Sequence, residues 1–210
     1  MKNNSIRNFL ALILNIAIVA LELAGFRMSV NLKDITSYVW YTIDSNLFLL
    51  IVSAVYIIGN LFSVISNKNI PDWIRILRYI STCCVAVTFL TVCLILNPLV
   101  GGDMFNEGWL YMHLICPVLS LVSEICFEKE PKLEFENVLF SLIPTILYTI
   151  NMIILNFAGI VDGPYPFLRV RFQSLLASLT WGVVMFFGAL FISLFVWILN
   201  KKLFIKKADE

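Results

Sequence analysis

Long apolar stretches alternate with short polar segments along the whole chain, and this alternation is its clearest signal. A helix needs about 20 mostly apolar residues to cross the hydrocarbon core of a bilayer. Six stretches meet this requirement, at roughly 8–26, 45–66, 76–97, 109–127, 137–158 and 175–199. The connecting segments are rich in Pro, Gly, Asn and charge and are too short to fold alone. The pattern predicts an all-α polytopic membrane protein, with residues 1–210 forming one domain of six transmembrane helices.

Lysine and arginine are distributed unevenly between the two sides of this predicted bundle. Of the 15 lysines and arginines, eleven lie in the loops on the side of the two termini and four lie on the opposite side. Because positive charge is retained on the cytoplasmic side, we expect both termini in the cytoplasm and the loops at 27–44, 98–108 and 159–174 outside. The first apolar stretch is too long for a signal peptide and lacks its cleavage pattern, so it is predicted to remain as a helix.

Composition supports the membrane assignment and excludes several classes of protein. Apolar residues make up 60% of the chain and charged residues 14%, where soluble domains have about 25% charged residues. A soluble domain of this size does not have enough interior to bury so much apolar surface, and disorder requires low hydrophobicity with high charge. The net charge of +1 gives no basic face for nucleic acid, so the expected partners are membrane lipids.

The cysteines and the histidine do not suggest a metal site. The five cysteines lie within apolar stretches, no C-x-x-C pair is present, and His113 is the single histidine. A zinc site needs about four nitrogen or sulfur ligands. We therefore expect the cysteines to be packing residues, and we predict neither a metal nor a cofactor.

Polar residues gather at the outer ends of several predicted helices. Because polar groups at membrane depth are costly and tend to be functional, this layer is the candidate site. Its members are Glu22 in the first span, Thr42, Asp44, Ser45 and Asn46 at the start of the second, His113 about one turn into the fourth, and Tyr165 and Arg169 in the last outer loop.

His113 is the most informative of these residues because it lies inside an apolar helix. A core imidazole bonded to a neighbouring backbone or hydroxyl group is one interpretation, and a general base or proton relay is the other. Pro117 follows four residues later and has no N–H to bond to the His113 carbonyl. We expect this to kink the helix and turn the imidazole toward the bundle axis.

Thr42 is the candidate nucleophile, since a hydroxyl beside a base can attack an ester carbonyl. Its alternative role is to cap the second helix, which Ser45 and Asn46 also suit. Asn46 is otherwise a candidate donor to an oxyanion. Asp44 is interpreted as a solvated boundary carboxylate or as a catalytic one.

Other polar residues in the spans have simpler expected roles. Glu22 is expected to orient His113, to pair with Arg169, or to extend to the outer interface. The three asparagines within the spans, by contrast, are expected to form interhelical hydrogen bonds. These are Asn15, Asn60 and Asn151.

Three short stretches resemble the androgen-induced gene family of membrane hydrolases and its bacterial relatives. Tyr41-Thr42-Ile43-Asp44-Ser45-Asn46-Leu47 is similar to the opening of the family's second helix, aromatic-Thr-x-x-Ser-Asn-Leu. His113-Leu114-Ile115-Cys116-Pro117 is similar to its His-x-x-x-Pro segment, and Tyr165-Pro166-Phe167-Leu168 to a segment of bacterial members. Their order and the six-helix length extend the resemblance over most of the chain.

The resemblance implies a threonine-type lipid ester hydrolase that works inside the membrane. The substrates that it implies are those of the animal members, fatty acid esters of hydroxy fatty acids. Thr42 is then the nucleophile, His113 its base, and residues 165–168 help to close the site. The bacterial relatives imply a location in the bacterial cytoplasmic membrane. Arg169 stands where many bacterial relatives have an acidic residue, and Asp44 where the family is apolar, so these two positions bear on the substrate.

Two alternatives from other classes of protein fit the same polar layer. The outer polar layer also suits a solute-binding membrane subunit or small transporter, with Arg169 or Arg171 meeting an anion. A structural or assembly factor without chemistry is the third interpretation. A homo-oligomer is compatible with all three.

Overall fold

The computed structural model describes residues 2–31, 33–66, 68–101, 104–128 and 133–208. Within these ranges the regular structure is helical, without strands, and six helices are long and apolar enough to cross a membrane. They are α1 (Lys2–Ser29), α2 (Tyr41–Ser66), α3 (Asp72–Val100), α4 (Gly108–Cys126), α5 (Phe135–Phe157) and α6 (Leu175–Ala208). Two of them contain a π-helical segment, which lies at Val92–Leu96 in α3 and at Tyr111–Ile115 in α4. The predicted all-α bundle of six spans is confirmed.

Helix α3 forms the centre of the bundle. Residues 78–88 are all buried, and α3 contacts α2, α4, α5 and α6. Helices α5 and α6 lie at the periphery and expose large apolar side chains such as Leu147 and Phe187. Exposed apolar side chains of this size suit contact with lipid tails, so these helices have the surface expected of an integral membrane protein.

The helices reach different heights at the end of the bundle where α2 begins, which we call the outer end in keeping with the predicted orientation. The Ser45 Oγ and Thr88 Oγ1 atoms lie 2.8 Å apart and set the register of α2 against α3. From this contact α3 continues about 18 Å outward to Val100, whereas α2 continues only about 6 Å to Tyr41. The start of α2 is therefore recessed about 12 Å below the outer end of α3.

Close backbone contact joins the outer ends of α1 and α4. A Cβ atom added to Gly108 would collide with the carbonyl oxygen of Gly25, so both helices need glycine at this crossing. The Gly108 N–H also donates to Ser29 Oγ at 3.0 Å. This crossing holds the first turn of α4, and the residues that follow it, against α1.

An enclosed polar network connects α1, α3 and α4 toward the opposite, inner end. Arg78 is completely buried, although it is one of the eleven lysines and arginines that the charge pattern assigns to the cytoplasmic side. Its Nε donates to Asn15 Oδ1 at 2.8 Å, and its Nη2 lies 3.2 Å from Glu128 Oε1. Further bonds reach the hydroxyls of Thr82 and Ser120, each at 3.0 Å. The guanidinium thus ties three helices together inside the membrane.

The three span asparagines differ in their roles. Asn15 accepts from Arg78 of α3 at 2.8 Å and donates to Ser123 of α4 at 3.4 Å, and Asn60 donates to the Asn8 carbonyl at 3.2 Å. These contacts are the interhelical hydrogen bonds predicted for them. Asn151 instead is exposed on α5, and its side chain forms no hydrogen bond with any residue that the structure describes, because it faces outward rather than toward a neighbouring helix.

Candidate functional site

Thr42 lies in the first turn of α2, where backbone N–H groups have no partner within the helix. Its N–H donates to the hydroxyl oxygen of Tyr165 at 3.4 Å, and the same phenol lies within hydrogen-bonding reach of the Thr42 side chain. Burial raises the pKa of the Tyr165 phenol, so this group is a neutral hydroxyl at physiological pH. Tyr165 therefore caps the helix and touches the candidate nucleophile.

The segment at 158–174, which carries Tyr165 and which we call the re-entrant segment, folds down into the bundle from its outer end. It leaves the end of α5, returns to α6, and turns at Gly163, whose φ of +81° favours glycine. The Phe167 ring lies 5.8 Å from the Trp181 ring, and Trp181 is about 9 Å below the start of α6. The tip of the segment at Pro166–Leu168 thus fills part of the recess above α2.

A cavity of about 720 Å³ lies beside Thr42, between α3, α5, α6 and the re-entrant segment. Helices α5 and α6 meet toward the inner end, where the Ser141 and Ser193 hydroxyls are 2.8 Å apart. Closer to the outer end, cavity-lining residues such as Leu179 and Val183 are also exposed on the surface of the bundle. The cavity is mostly apolar in its lining and opens sideways between these two helices, toward the bilayer.

His113 lies in the π-helical segment Tyr111–Ile115, which ends two residues before Pro117. The sequence predicted a kink here, and the π-helical turn is how the helix accommodates the missing N–H. His113 is 6% exposed, its ring stacks on Trp109 at 5.3 Å, and its Nδ1 lies 2.6 Å from the Met104 carbonyl oxygen. Because a carbonyl only accepts, Nδ1 donates the proton and Nε2 carries the lone pair.

Thr42 and His113 occupy one layer of the bundle without a direct hydrogen bond between their side chains, both of which the structure describes. Thr42 lines the cavity and His113 does not. Asn46 links them, since its Nδ2 lies 2.7 Å from the Thr42 carbonyl oxygen and 3.2 Å from that of Met112. The residue that orients the imidazole, Met104, packs against the apolar cluster that contains Tyr165.

Ser45 and Asn46 hold α2 in place through side-chain bonds. Ser45 Oγ donates to the Thr42 carbonyl at 3.2 Å and contacts Thr88 Oγ1. The Asn46 amide nitrogen is already engaged with two carbonyls. It is therefore a less suitable oxyanion donor than the Tyr165 hydroxyl, which meets Thr42 directly.

Glu22 and Arg169 do not meet each other. Glu22 is completely enclosed between α1 and α4, with its carboxylate beside the Cys116 thiol, so it extends neither to the outer interface nor to His113. Arg169 donates through Nε to the Gly163 carbonyl at 3.3 Å, within the re-entrant segment. Arg171 also stays outside the cavity, since neither arginine is among its lining residues.

Asp44 lies on the opposite side of the first turn of α2 from Thr42. It lines a second, smaller groove between α2 and α5 and contacts neither Thr42 nor His113 through a hydrogen bond. Among the residues that the structure describes, no group of three or more His, Cys, Asp or Glu side chains is arranged to hold a metal ion.

Comparison with known proteins gives no further assignment. No protein-family model matches the chain, and no curated protein or solved structure is significantly similar to it. The resemblance to the androgen-induced gene family thus remains a prediction from three short motifs. The function must be argued from the cavity and the residues around it.

Proposed function

We propose that this protein is a membrane-embedded lipid ester hydrolase with Thr42 as nucleophile and His113 as general base. The observation that carries the proposal is the position of Thr42 on the wall of an apolar cavity of about 720 Å³ that opens toward the bilayer. An apolar cavity with a few convergent polar groups is the usual form of a small-molecule site. A lipid acyl chain is the ligand that such a lining and such an opening suit.

In the proposed reaction the acyl chain lies between α5 and α6 with its ester carbonyl beside Thr42. Thr42 Oγ1 attacks the carbonyl carbon, and its proton passes to His113 Nε2 directly or through one water molecule. The Tyr165 hydroxyl donates to the oxyanion. The ester C–O bond then breaks, and the leaving alcohol takes the proton from His113.

The second half of the reaction repeats these roles with water. A water molecule attacks the acyl group on Thr42 and gives its proton to His113. The bond between the acyl carbon and Thr42 Oγ1 breaks, the threonine oxygen recovers the proton, and a carboxylic acid is released. The products of one cycle are one acid and one alcohol, and both side chains return to their starting state.

The setting of His113 supports this role. A base must be oriented by a third group so that the correct nitrogen carries the lone pair. The Met104 carbonyl does this by accepting from Nδ1 at 2.6 Å, and stacking on Trp109 fixes the plane of the ring. Nε2 is thereby left as the proton acceptor that the reaction requires.

The alternative of a solute-binding subunit or transporter has less support. That interpretation assigned an anion to Arg169 or Arg171, and neither side chain lines the cavity. The positive charges remain in the re-entrant segment, and the cavity wall is formed mainly by apolar side chains of α5 and α6. A hydrophobic ester fits this wall better than a water-soluble anion does.

The test is hydrolysis of 4-methylumbelliferyl palmitate by the full-length protein in lipid nanodiscs, together with covalent labelling by a fluorophosphonate. We expect Thr42→Ala to lose turnover by about a thousandfold or more and to lose the label. Thr180→Ala is the matched control, because its hydroxyl bonds to its own helix at Leu176 and does not line the cavity. Equal labelling of the wild type and Thr42→Ala would refute the assignment of the nucleophile.

A further inference from the structure

A second concave site lies between α2 and α5, with a volume of about 470 Å³. It shares Tyr41 and Tyr148 with the larger cavity, and these two rings, 4.9 Å apart, stand between the two spaces. Thr42 does not line this groove. The groove is therefore separate from the proposed hydrolytic site, and its role has to be argued from its own residues.

Two polar side chains from different helices line this groove. Asp44 of α2 is half-buried and Asn151 of α5 is exposed. Neither forms a hydrogen bond or an ion pair with any residue in the described part of the chain. The rest of the lining includes apolar side chains such as Phe48 and Leu147.

Both polar groups lie below the outermost turns of the neighbouring helices. Asp44 is one turn into α2, whose start is recessed about 12 Å below the outer end of α3, and Asn151 is about 9 Å below the end of α5 at Phe157. A carboxylate and an amide that face hydrocarbon without a partner are strongly unfavourable. Their convergence on one groove that opens at the surface of the bundle indicates that their partner arrives from the bilayer.

We propose that this groove binds a lipid headgroup that bears an ammonium group. The ammonium N–H groups donate to the Asp44 carboxylate, and the Asn151 amide donates to the phosphate oxygen next to the ammonium. Phe48 and Leu147 contact the adjoining lipid chain. The charge is complementary, because among the described residues no lysine or arginine lines the groove and Asp44 is its one formally charged group.

A carboxylate at position 44 also has a purely structural explanation, and the test must distinguish it from lipid binding. A carboxylate in the first turn of a helix interacts favourably with the helix dipole. That interaction predicts a small loss of stability in Asp44→Asn and no preference among lipids. Lipid selectivity is therefore the measurement that distinguishes a headgroup site from a helix-dipole interaction.

The experiment is native mass spectrometry of the full-length protein released from a neutral detergent. Diether phosphatidylethanolamine and diether phosphatidylglycerol with identical chains compete for the protein, and neither can be hydrolysed. We expect the wild type to retain the ethanolamine lipid over the glycerol lipid by about fivefold, as for one partly screened ion pair. Asp44→Asn should bring this ratio close to one, and Asn151→Leu should lower it.

The control is Asp162→Asn, which removes the same charge from an exposed position in the outer loop and should leave the ratio unchanged. Equal retention of both lipids by the wild type, or full selectivity in Asp44→Asn, would overturn the proposal. A change of oligomeric state in Asp44→Asn without a change in lipid ratio would also overturn it, and would assign the groove to a second copy of the chain. Since no turnover is measured, these outcomes are independent of the hydrolase proposal.

Discussion

The backbone N–H of Thr42 donates to the hydroxyl oxygen of Tyr165, 3.4 Å away. One phenol thereby satisfies an unpaired group at the start of α2 and fixes the tip of the re-entrant segment over the candidate nucleophile. The Tyr165 side chain therefore both caps α2 and covers the candidate site. Loss of the hydroxyl should consequently affect both stability and chemistry.

For Tyr165→Phe we expect kcat for palmitate ester hydrolysis to fall about a hundredfold, because one oxyanion donor is lost. Loss of the helix cap should lower Tm by about 2–4 °C. The control is Tyr111→Phe, since the Tyr111 hydroxyl forms no hydrogen bond with the residues described. If both variants retain the same kcat, Tyr165 has no part in the reaction.

Two glycines of α6 allow the role of the cavity to be tested. A Cβ atom added to Gly182 or to Gly188 meets no atom within 4 Å, so both positions accept a larger side chain. Gly182 lines the cavity and Gly188 does not. We expect Gly182→Phe to lower kcat/KM for a palmitoyl ester about tenfold more than for a butyryl ester, as measured with matched fluorogenic esters.

Gly188→Phe serves as the matched control and should leave both kinetic constants at their wild-type values. Equal effects of the two substitutions would mean that the acyl chain does not occupy the space between α5 and α6.

The tautomer of His113 can be measured directly, because the chain contains one histidine. The bond from Nδ1 to the Met104 carbonyl predicts a proton on Nδ1 and a lone pair on Nε2 at neutral pH. Solid-state NMR of the ¹⁵N-histidine-labelled protein in lipid should therefore give one protonated and one unprotonated ring nitrogen, with the proton assigned to Nδ1. A proton on Nε2 instead would exclude this nitrogen as the base.

The enclosed pair of Arg78 and Glu128 should dominate the stability of the inner half of the bundle. Arg78→Met leaves the Glu128 carboxylate buried without its cation, and loss of one partner of such a pair costs about 3–5 kcal/mol. Arg27→Met is the control, since Arg27 is exposed in the last turn of α1 and a surface substitution usually changes stability by at most about 0.5 kcal/mol. Thermal unfolding in detergent should rank the variants in this order, and equal Tm values would contradict it.

The helices were predictable from the sequence because one physical requirement, a span of apolar residues, determines them. The third span was predicted at 76–97, and its helix begins at Asp72. Charged residues at the edges of an apolar stretch cannot be assigned in this way. Arg78 lies at the inner edge of that predicted span and is one of the eleven basic residues assigned to the cytoplasmic side, although it is enclosed among partners from α1 and α4 that only the packed bundle brings together.

The candidate site was predictable in its residue types and not in its contacts. Thr42 and His113 stand out because a hydroxyl and a lone imidazole are unusual at membrane depth. The group that orients His113 is a backbone carbonyl, that of Met104, and a backbone atom has no signature in the sequence. The outward orientation of Asn151 likewise depends on how α5 is rotated in the bundle, which a single polar residue does not specify.

The sideways opening between α5 and α6 determines which substrate concentration, that in the membrane or that in the water, sets the turnover rate of the proposed enzyme. A substrate that enters there diffuses in two dimensions within the leaflet, so its mole fraction among the lipids sets the rate. Added inert phospholipid should slow turnover at constant total substrate, whereas dilution of the whole suspension with buffer should leave the rate per enzyme unchanged. An enzyme of this kind responds to the composition of the membrane around it rather than to the volume of the surrounding water.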